Sequence, residues 1–291
     1  MDEPVCAVIP AAGRGTRHGP LTRAVPKELL PVAGRPLVDW ALEACVQAGL
    51  ERVVLVTSPA KPLLLQYLRE RWQLAPLMRG PGAALRSRTH PLELELAVQP
   101  RPRGLVDALW CARAALGEPP RCALVLPDWV HFGAPSPLAQ LLAEVRRGGR
   151  LQQQGAGPAA IFACFELGAE HAPRYGNCGL LGGEREPASG WLRIERLGAK
   201  ASGPLRLAPG TSAWRSAGAV LLGPAFFAAA ARLYQSAPPA AELDDGPVFQ
   251  ELLRRGEQLW GVPVRGLPID AGNPRGYAAA HAAALEQDAI P

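Results

Sequence analysis

Two hydrophobic periods alternate along this chain and divide it into strands and helices. Val5 to Ile9 is an unbroken apolar run, the pattern of a strand buried on both faces, and it opens into a stretch of small and charged residues. Pro36 to Ala48 repeats its apolar positions at helical spacing and stops at Gly49, a suitable C-cap; Arg52 to Thr57 (RVVLVT) is a second buried-strand run. These segments predict a βαβ unit. Residues 62–73 read as a helix and Leu92 to Val98 (LELELAV) as an alternating strand, while the Pro-, Gly- and Arg-rich stretch 76–91 between them reads as a mobile loop. Leu105 to Leu116 reads as a helix and Cys122 to Leu126 as a central strand. Three strand–helix repeats predict an α/β fold with a doubly wound, mostly parallel sheet, whose ligands gather at the strands' carboxyl ends.

The first such end carries the chemistry. In VIPAAGRGTRHGPLTRAVPKELLP, residues 8–31, Ala11, Ala12, Gly13 and Gly15 remove bulk so that backbone N–H groups can approach phosphate oxygens, and Arg17 and Lys27 supply charge. A Walker loop requires G-x-x-x-x-G-K-[ST], and a dinucleotide fingerprint requires a third small residue where His18 stands. Neither fits. Alone, a glycine-rich strand-to-helix turn is either a phosphate site or simply a tight turn. G-x-G-T-R followed by P-K-E-L-L-P, however, resembles the sugar-1-phosphate nucleotidylyltransferases, most closely the bacterial UTP–glucose-1-phosphate uridylyltransferases.

The resemblance is strong to residue 130 and weaker from 131 to 260. It implies a Rossmann-like nucleotidyltransferase domain over 1–291: a nucleotide-binding half (1–130), a β-rich sugar-binding half (131–260), and a C-terminal strand and helix (261–291) that complete a metal site. It implies nucleotide contacts from Ala11, Ala12, Gly13, Gly15 and Thr16, with Arg17 on the leaving pyrophosphate and Lys27 on the sugar phosphate and α-phosphate. In QPRPRGLVDA (99–108), Gln99 offers donor and acceptor to a pyrimidine edge and Gly104 allows close backbone approach, which on residues alone also describes a polar turn. The resemblance makes both base contacts. Asp107 stands where the uridylyltransferases commonly have His, and the Q-P-x-P-x-G-L opening looks more like the thymidylyltransferase branch.

Asp128, after the strand of LVLPDWVHF, and Asp270, in IDAGNPRGYAAA, each end an apolar run; a lone Asp there is equally a turn or cap residue. By resemblance the two hold one Mg²⁺, a cation that takes one or two carboxylates plus substrate phosphates. Between them, Gly176 in RYGNCGLL, Glu195 and Arg196 in WLRIERLG, and Gly218 in SAGAVLL resemble sugar-phosphate contacts. Arg196 and Leu197 replace the expected Lys and Pro, and Arg is not a neutral substitute for Lys at a phosphate.

Composition narrows the partners. With 291 residues, 48% hydrophobic, the chain can bury a large core, and no linker divides it. The net charge of +5 comes with scattered arginines and only 6% aromatics, which argues against a nucleic-acid track and for a small phosphorylated substrate. The resemblance implies which: a nucleoside triphosphate (UTP or dTTP) and a sugar 1-phosphate. Cys6, Cys45, Cys111, Cys122, Cys164 and Cys178 lack metal-ligand spacing and read as reduced thiols. MDEPVCAVIP lacks an export-signal pattern and no segment reaches bilayer length, so a cytoplasmic location without membrane partners is expected, with homo-oligomers possible for such a family. Two other readings stay open: a thymidylyltransferase or other sugar nucleotidylyltransferase, and a catalytically weakened sugar-nucleotide-binding regulatory protein.

Overall fold

Strand β1 (Cys6–Pro10) shows why an unbroken apolar run is needed at the centre: Ala7 and Ile9 face one hydrophobic cluster, and Cys6 and Val8 the other. The computed structural model describes residues 6–72, 74–76, 83–87, 92–117, 122–133, 135–148, 157–201 and 203–286. After β1 come β2 (Pro31–Val32), β3 (Arg35–Pro36), α1 (Leu37–Gln47), β4 (Arg52–Thr57), α2 (Pro62–Arg71), β5 (Leu74–Pro76), β6 (Ala83–Ser87), β7 (Glu93–Val98), α3 (Leu105–Leu116), β8 (Cys122–Val125) and β9 (Trp129–Phe132). The second half adds α4 (Pro137–Gly148), β10 (Ala160–Gly168), β11 (Leu180–Arg185), β12 (Leu192–Leu197), β13 (Ser212–Leu222), α5 (Pro224–Ser236), α6 (Gly246–Arg254), β14 (Leu259–Pro263), β15 (Leu267–Asp270) and α7 (Pro274–Glu286).

Among the described residues, eleven strands form one sheet in the order β10-β14-β12-β11-β13-β8-β1-β4-β7-β6-β5. Pairing is parallel from β8 through β1 and β4 to β7, with Val8 opposite Val54 on one side and Leu124 on the other. Helices cover both faces. α1, α2 and α4 bury Leu42, Leu68 and Leu141 against one; α3, α5 and α6 bury Leu109, Phe226 and Phe249 against the other.

The expectation of a mostly parallel sheet holds only for this first half. β13 joins β8 antiparallel, and β11, β12 and β13 pair antiparallel among themselves, so the sheet as a whole is mixed. For β11 and β12 the cause is connection length: the link from Arg185 to Leu192 is too short for the helical crossover that a parallel pair requires. The expected mobile loop 76–91 is corrected in part. β5 and β6 pair with each other and β6 with β7, extending the edge through main-chain bonds that need no side-chain pattern; 77–82 and 88–91 lie outside the described residues. The N-terminal residues 1–5 lie outside them as well.

A third hydrophobic cluster positions the site. Val130, Phe132, Ile269, Ala271, Ala280 and Ala283 pack together beneath the antiparallel pair β9–β15, in which Asp270 stands opposite Trp129. Residues more than a hundred positions apart thereby become neighbours. No helix among the described residues is long and apolar enough to cross a membrane.

Candidate active site

The loop after β1 is held from behind. Ala11 N–H donates to Val56 O (2.7 Å), and the buried Lys61 ammonium donates to Ala11 O (2.7 Å), Gly13 O (2.6 Å) and Glu28 Oε2 (2.7 Å). With these carbonyls taken by an internal cation, the loop's N–H groups are what remains for an anion. A β-carbon on Gly13 would meet nothing within 4 Å, whereas one on Gly15 (φ +68°) would stand 3.0 Å from Lys27 Cβ. Gly15 therefore lets the loop close on Lys27 while Gly13 keeps its outer side open. Ala12 is buried behind the loop, and Thr16 and Arg17 are exposed at the start of the following turn.

Lys27, Asp128 and Asp270 converge beside this loop. Lys27 Nζ lies 2.7 Å from Asp128 Oδ2. Ala271 N–H donates to Asp128 O (2.8 Å), and Gly272 N–H to Asp270 Oδ1 (3.0 Å). A β-carbon on Gly272 would stand 2.5 Å from Asp128 Oδ2 and 3.0 Å from Asp270 Oδ1, so the carboxylates face each other around a residue that must lack a side chain. Burial opposes the charge on Lys27, but Asp128, Glu28 and Asp270 outweigh it and hold the ammonium above its ordinary pKa. Burial alone would raise the Asp128 carboxyl; the Lys27 charge and hydrogen bond overcome it and hold the group low. Burial and then the facing Asp128 push the Asp270 carboxyl up, against the opposing Arg215. Arg17 is within electrostatic reach of both carboxylates.

Gln99 is buried at the end of β7. Its Nε2 donates to Asp107 Oδ2 (2.6 Å) and Gly104 O (3.1 Å), and Arg103 ties down the other Asp107 oxygen at 2.9 Å. Gly104 (φ +115°) packs so closely on Leu243 that a β-carbon would stand 2.6 Å from its carbonyl oxygen. Asp107, the departure at this loop, is thus the anchor of the Gln99 amide.

The residues expected on the sugar side separate. Gly176 adjoins Asp270: a β-carbon there would lie 3.9 Å from Asp270 Oδ2. Glu195 pairs with Arg193 at the surface, and Arg196 lies across Gly182; neither shares a described bond or ion pair with Lys27, Asp128 or Asp270. Gly218 (φ +78°) has a packing reason of its own, since a β-carbon would stand 2.4 Å from Trp129 Cγ. A cavity of about 190 Å³ behind Trp129, lined by Trp40, Ser136 and Gly218 among others, includes none of the three converging residues.

Sequence reasoning assigned no role to Lys61, Glu28, Lys200 and Arg215, and read Gly272 only as part of the turn after Asp270. Lys200 pairs with Asp244 at 2.7 Å and lies within electrostatic reach of Arg17. Arg215, 1% exposed, reaches Asp270 Oδ2 at 3.0 Å. One signal was available for it: Arg215 is the only charged residue in the strand SAWRSAGAVLL. Among the described residues no group of three or more His, Cys, Asp or Glu gathers, so the hard-oxygen donor pair here is Asp128 and Asp270.

The nucleotidyl transferase family model matches residues 6–287. The chain belongs to that family. This nucleotidyl transferase is 32% identical over 146 residues to the UTP–glucose-1-phosphate uridylyltransferase of Bacillus subtilis (strain 168), covering 48% of this chain and 50% of that one. It is 33% identical over 181 residues to the enzyme of the same name from Komagataeibacter xylinus, covering 58% of each. The matched stretch thus spans little more than half the length of these relatives. In fold the transferase is similar to a UDP-glucose pyrophosphorylase solved with UDP-glucose, at a TM-score of 0.71 and 23% identity over 97% of this chain and 98% of that one. A putative glucose-1-phosphate thymidylyltransferase from Bacillus anthracis is similar at a TM-score of 0.68 and 19% identity, over 96% and 94%.

Proposed function

We propose that this transferase moves a uridylyl group from UTP to glucose 1-phosphate, forming UDP-glucose and pyrophosphate. The observation that carries this is the convergence of Lys27, Asp128 and Asp270 beside an open glycine loop at the carboxyl end of β1. The names of the similar uridylyltransferases support UTP and glucose 1-phosphate as the substrates. In this reading residues 1–130 hold the nucleotide in Rossmann-like fashion, 131–260 the sugar, and 261–291 complete the charged centre.

The loop N–H groups and Arg17 hold the β- and γ-phosphates, and Lys27 bridges the sugar phosphate and the α-phosphate. The sugar phosphate oxygen attacks the α-phosphorus in line, and pyrophosphate leaves with the bonding pair. No protein nucleophile is needed, so rate enhancement rests on alignment and charge neutralisation. Gln99 has its amide nitrogen committed to Asp107 and Gly104, which leaves Oε1 as an acceptor for the N3–H of uracil or thymine; cytosine carries no proton there. Gly176 gives the sugar a close approach to Asp270.

Asp128 and Asp270 fit Mg²⁺: both are anionic oxygen donors, they face each other, and the residue between them, Gly272, leaves the space a side chain would fill. Bound there, the metal would act as a Lewis acid on the phosphate oxygens.

The test is pyrophosphate release by the purified protein with Mg²⁺ and glucose 1-phosphate, against UTP and dTTP separately. UTP-selective turnover supports the reading. Selectivity for dTTP moves it to the thymidylyltransferase branch, which the QPRPRGL loop favours, and absence of turnover with both sinks it.

A further inference from the structure

Arg215 is the one charged side chain on β13, and it is buried against Asp270. Its Nη2 reaches Asp270 Oδ2 at 3.0 Å; its Nη1 donates to Gly176 O at 2.9 Å and to Cys178 O. The guanidinium lies 5.0 Å from the Tyr175 ring centre and 5.5 Å from that of Trp129, and Tyr175 OH donates to Pro268 O (2.7 Å) on the strand that ends in Asp270. Its Nε is buried with no hydrogen-bond partner. Burying a guanidinium with one N–H unmatched costs stability, and structural packing alone would be better served by an apolar side chain.

What the arrangement supplies is charge at a fixed place. Lys27 stands on Asp128 and Arg215 on Asp270, so two carboxylates are balanced by two protein cations before any ligand arrives. A divalent cation is drawn weakly to a neutral centre, and strongly once a triphosphate brings its own negative charge. We propose that Arg215 is a positioning residue that fixes Asp270 and offsets its charge, so that the divalent cation enters this site with the nucleotide rather than ahead of it. The inference rests on the two-carboxylate metal site of the proposed function. Through Gly176 O and Cys178 O the same guanidinium also ties the sugar-side backbone to that site.

Mn²⁺ binding at pH 8, followed by water-proton relaxation, tests this because it separates protein-held Mn²⁺ from free Mn²⁺ and from the Mn²⁺–UTP complex. Wild type should hold Mn²⁺ at least about tenfold more weakly without UTP than with it, and Arg215→Met should tighten nucleotide-free binding by about tenfold or more, since it removes one charge next to the metal. Arg215→Lys, which keeps the charge, should stay within about threefold of wild type. Equal affinity of wild type with and without UTP overturns the proposal, and does so even if Arg215→Met fails to fold. Unchanged nucleotide-free affinity in a folded Arg215→Met protein also overturns it. Absence of protein-held Mn²⁺ in wild type even with UTP overturns it by a different route, because the metal site itself then fails.

Discussion

Lys27 keeps its proton in a place where burial works against it, because Asp128, Glu28 and Asp270 lie around it. A preorganised cation of this kind is worth most when negative charge gathers on the reacting phosphate, where no solvent has to reorient. Lys27→Ala should lower turnover by about 10²–10³, measured as pyrophosphate release at saturating substrate; a rate near wild type would remove Lys27 from the reaction. Gln99 is governed by a neighbour. Asp107 and Gly104 hold its nitrogen, so Asp107→Ala frees the amide to turn and present a donor to cytosine, and the UTP-to-CTP ratio of kcat/KM should fall about tenfold. An unchanged ratio would place base reading elsewhere. Gln99, directly after β7, and Lys27, in P-K-E-L-L-P, stood out in the sequence because each lies in a local motif. Asp107 was visible only as a departure, since its work, orienting another side chain, leaves no mark in spacing.

The clamp on the glycine loop belongs to the scale of elements. Lys61, just before α2, reaches back to the loop after β1 and to Glu28 in the turn after Pro26, joining three segments through one ammonium. Glu28 is 1% exposed and burial pushes its carboxyl up, so its charge depends on Lys61. Lys61→Met should destabilise the fold by about 3–5 kcal/mol in urea, because it strands a buried carboxylate, and Glu28→Gln in the same chain should return part of that loss. If the single variant unfolds at the wild-type midpoint, the clamp carries no stability. The pattern of buried strands and covering helices was readable wherever burial is two-sided, as in β1 and β4. Lys61 was not readable, since a Lys beside Pro62 looks like any surface residue. The β5–β6 pair and the antiparallel β11–β12 pair escaped for a related reason: edge pairing is made by backbone, and the direction of β12 by a short connection, neither of which hydrophobic period encodes.

Across the whole molecule, the two halves meet at β8 and β13. Ala219 to Leu222 pair with Val125 to Cys122, and Leu124 stands between Val8 on one side and Val220 on the other. The site depends on this seam, since Asp128 follows β8 in the first half while Arg215 comes from β13 and Asp270 from β15 in the second. The hydrophobic cluster below the seam draws on both, with Cys6, Val54 and Leu109 packed together with Phe162, Phe226 and Phe249. Neither half can therefore keep its core if the other unfolds, and cooperativity should extend over the whole sheet. Urea unfolding followed by far-UV circular dichroism and by tryptophan fluorescence should give one shared midpoint, the tryptophans being spread from Trp40 to Trp260. Leu124→Ala, at the seam, should lower stability by about 2–5 kcal/mol and move both signals together. Two separated transitions, or a Leu124→Ala protein in which only one signal moves, would mean that the two halves fold as independent units and that the charged centre forms only after they dock.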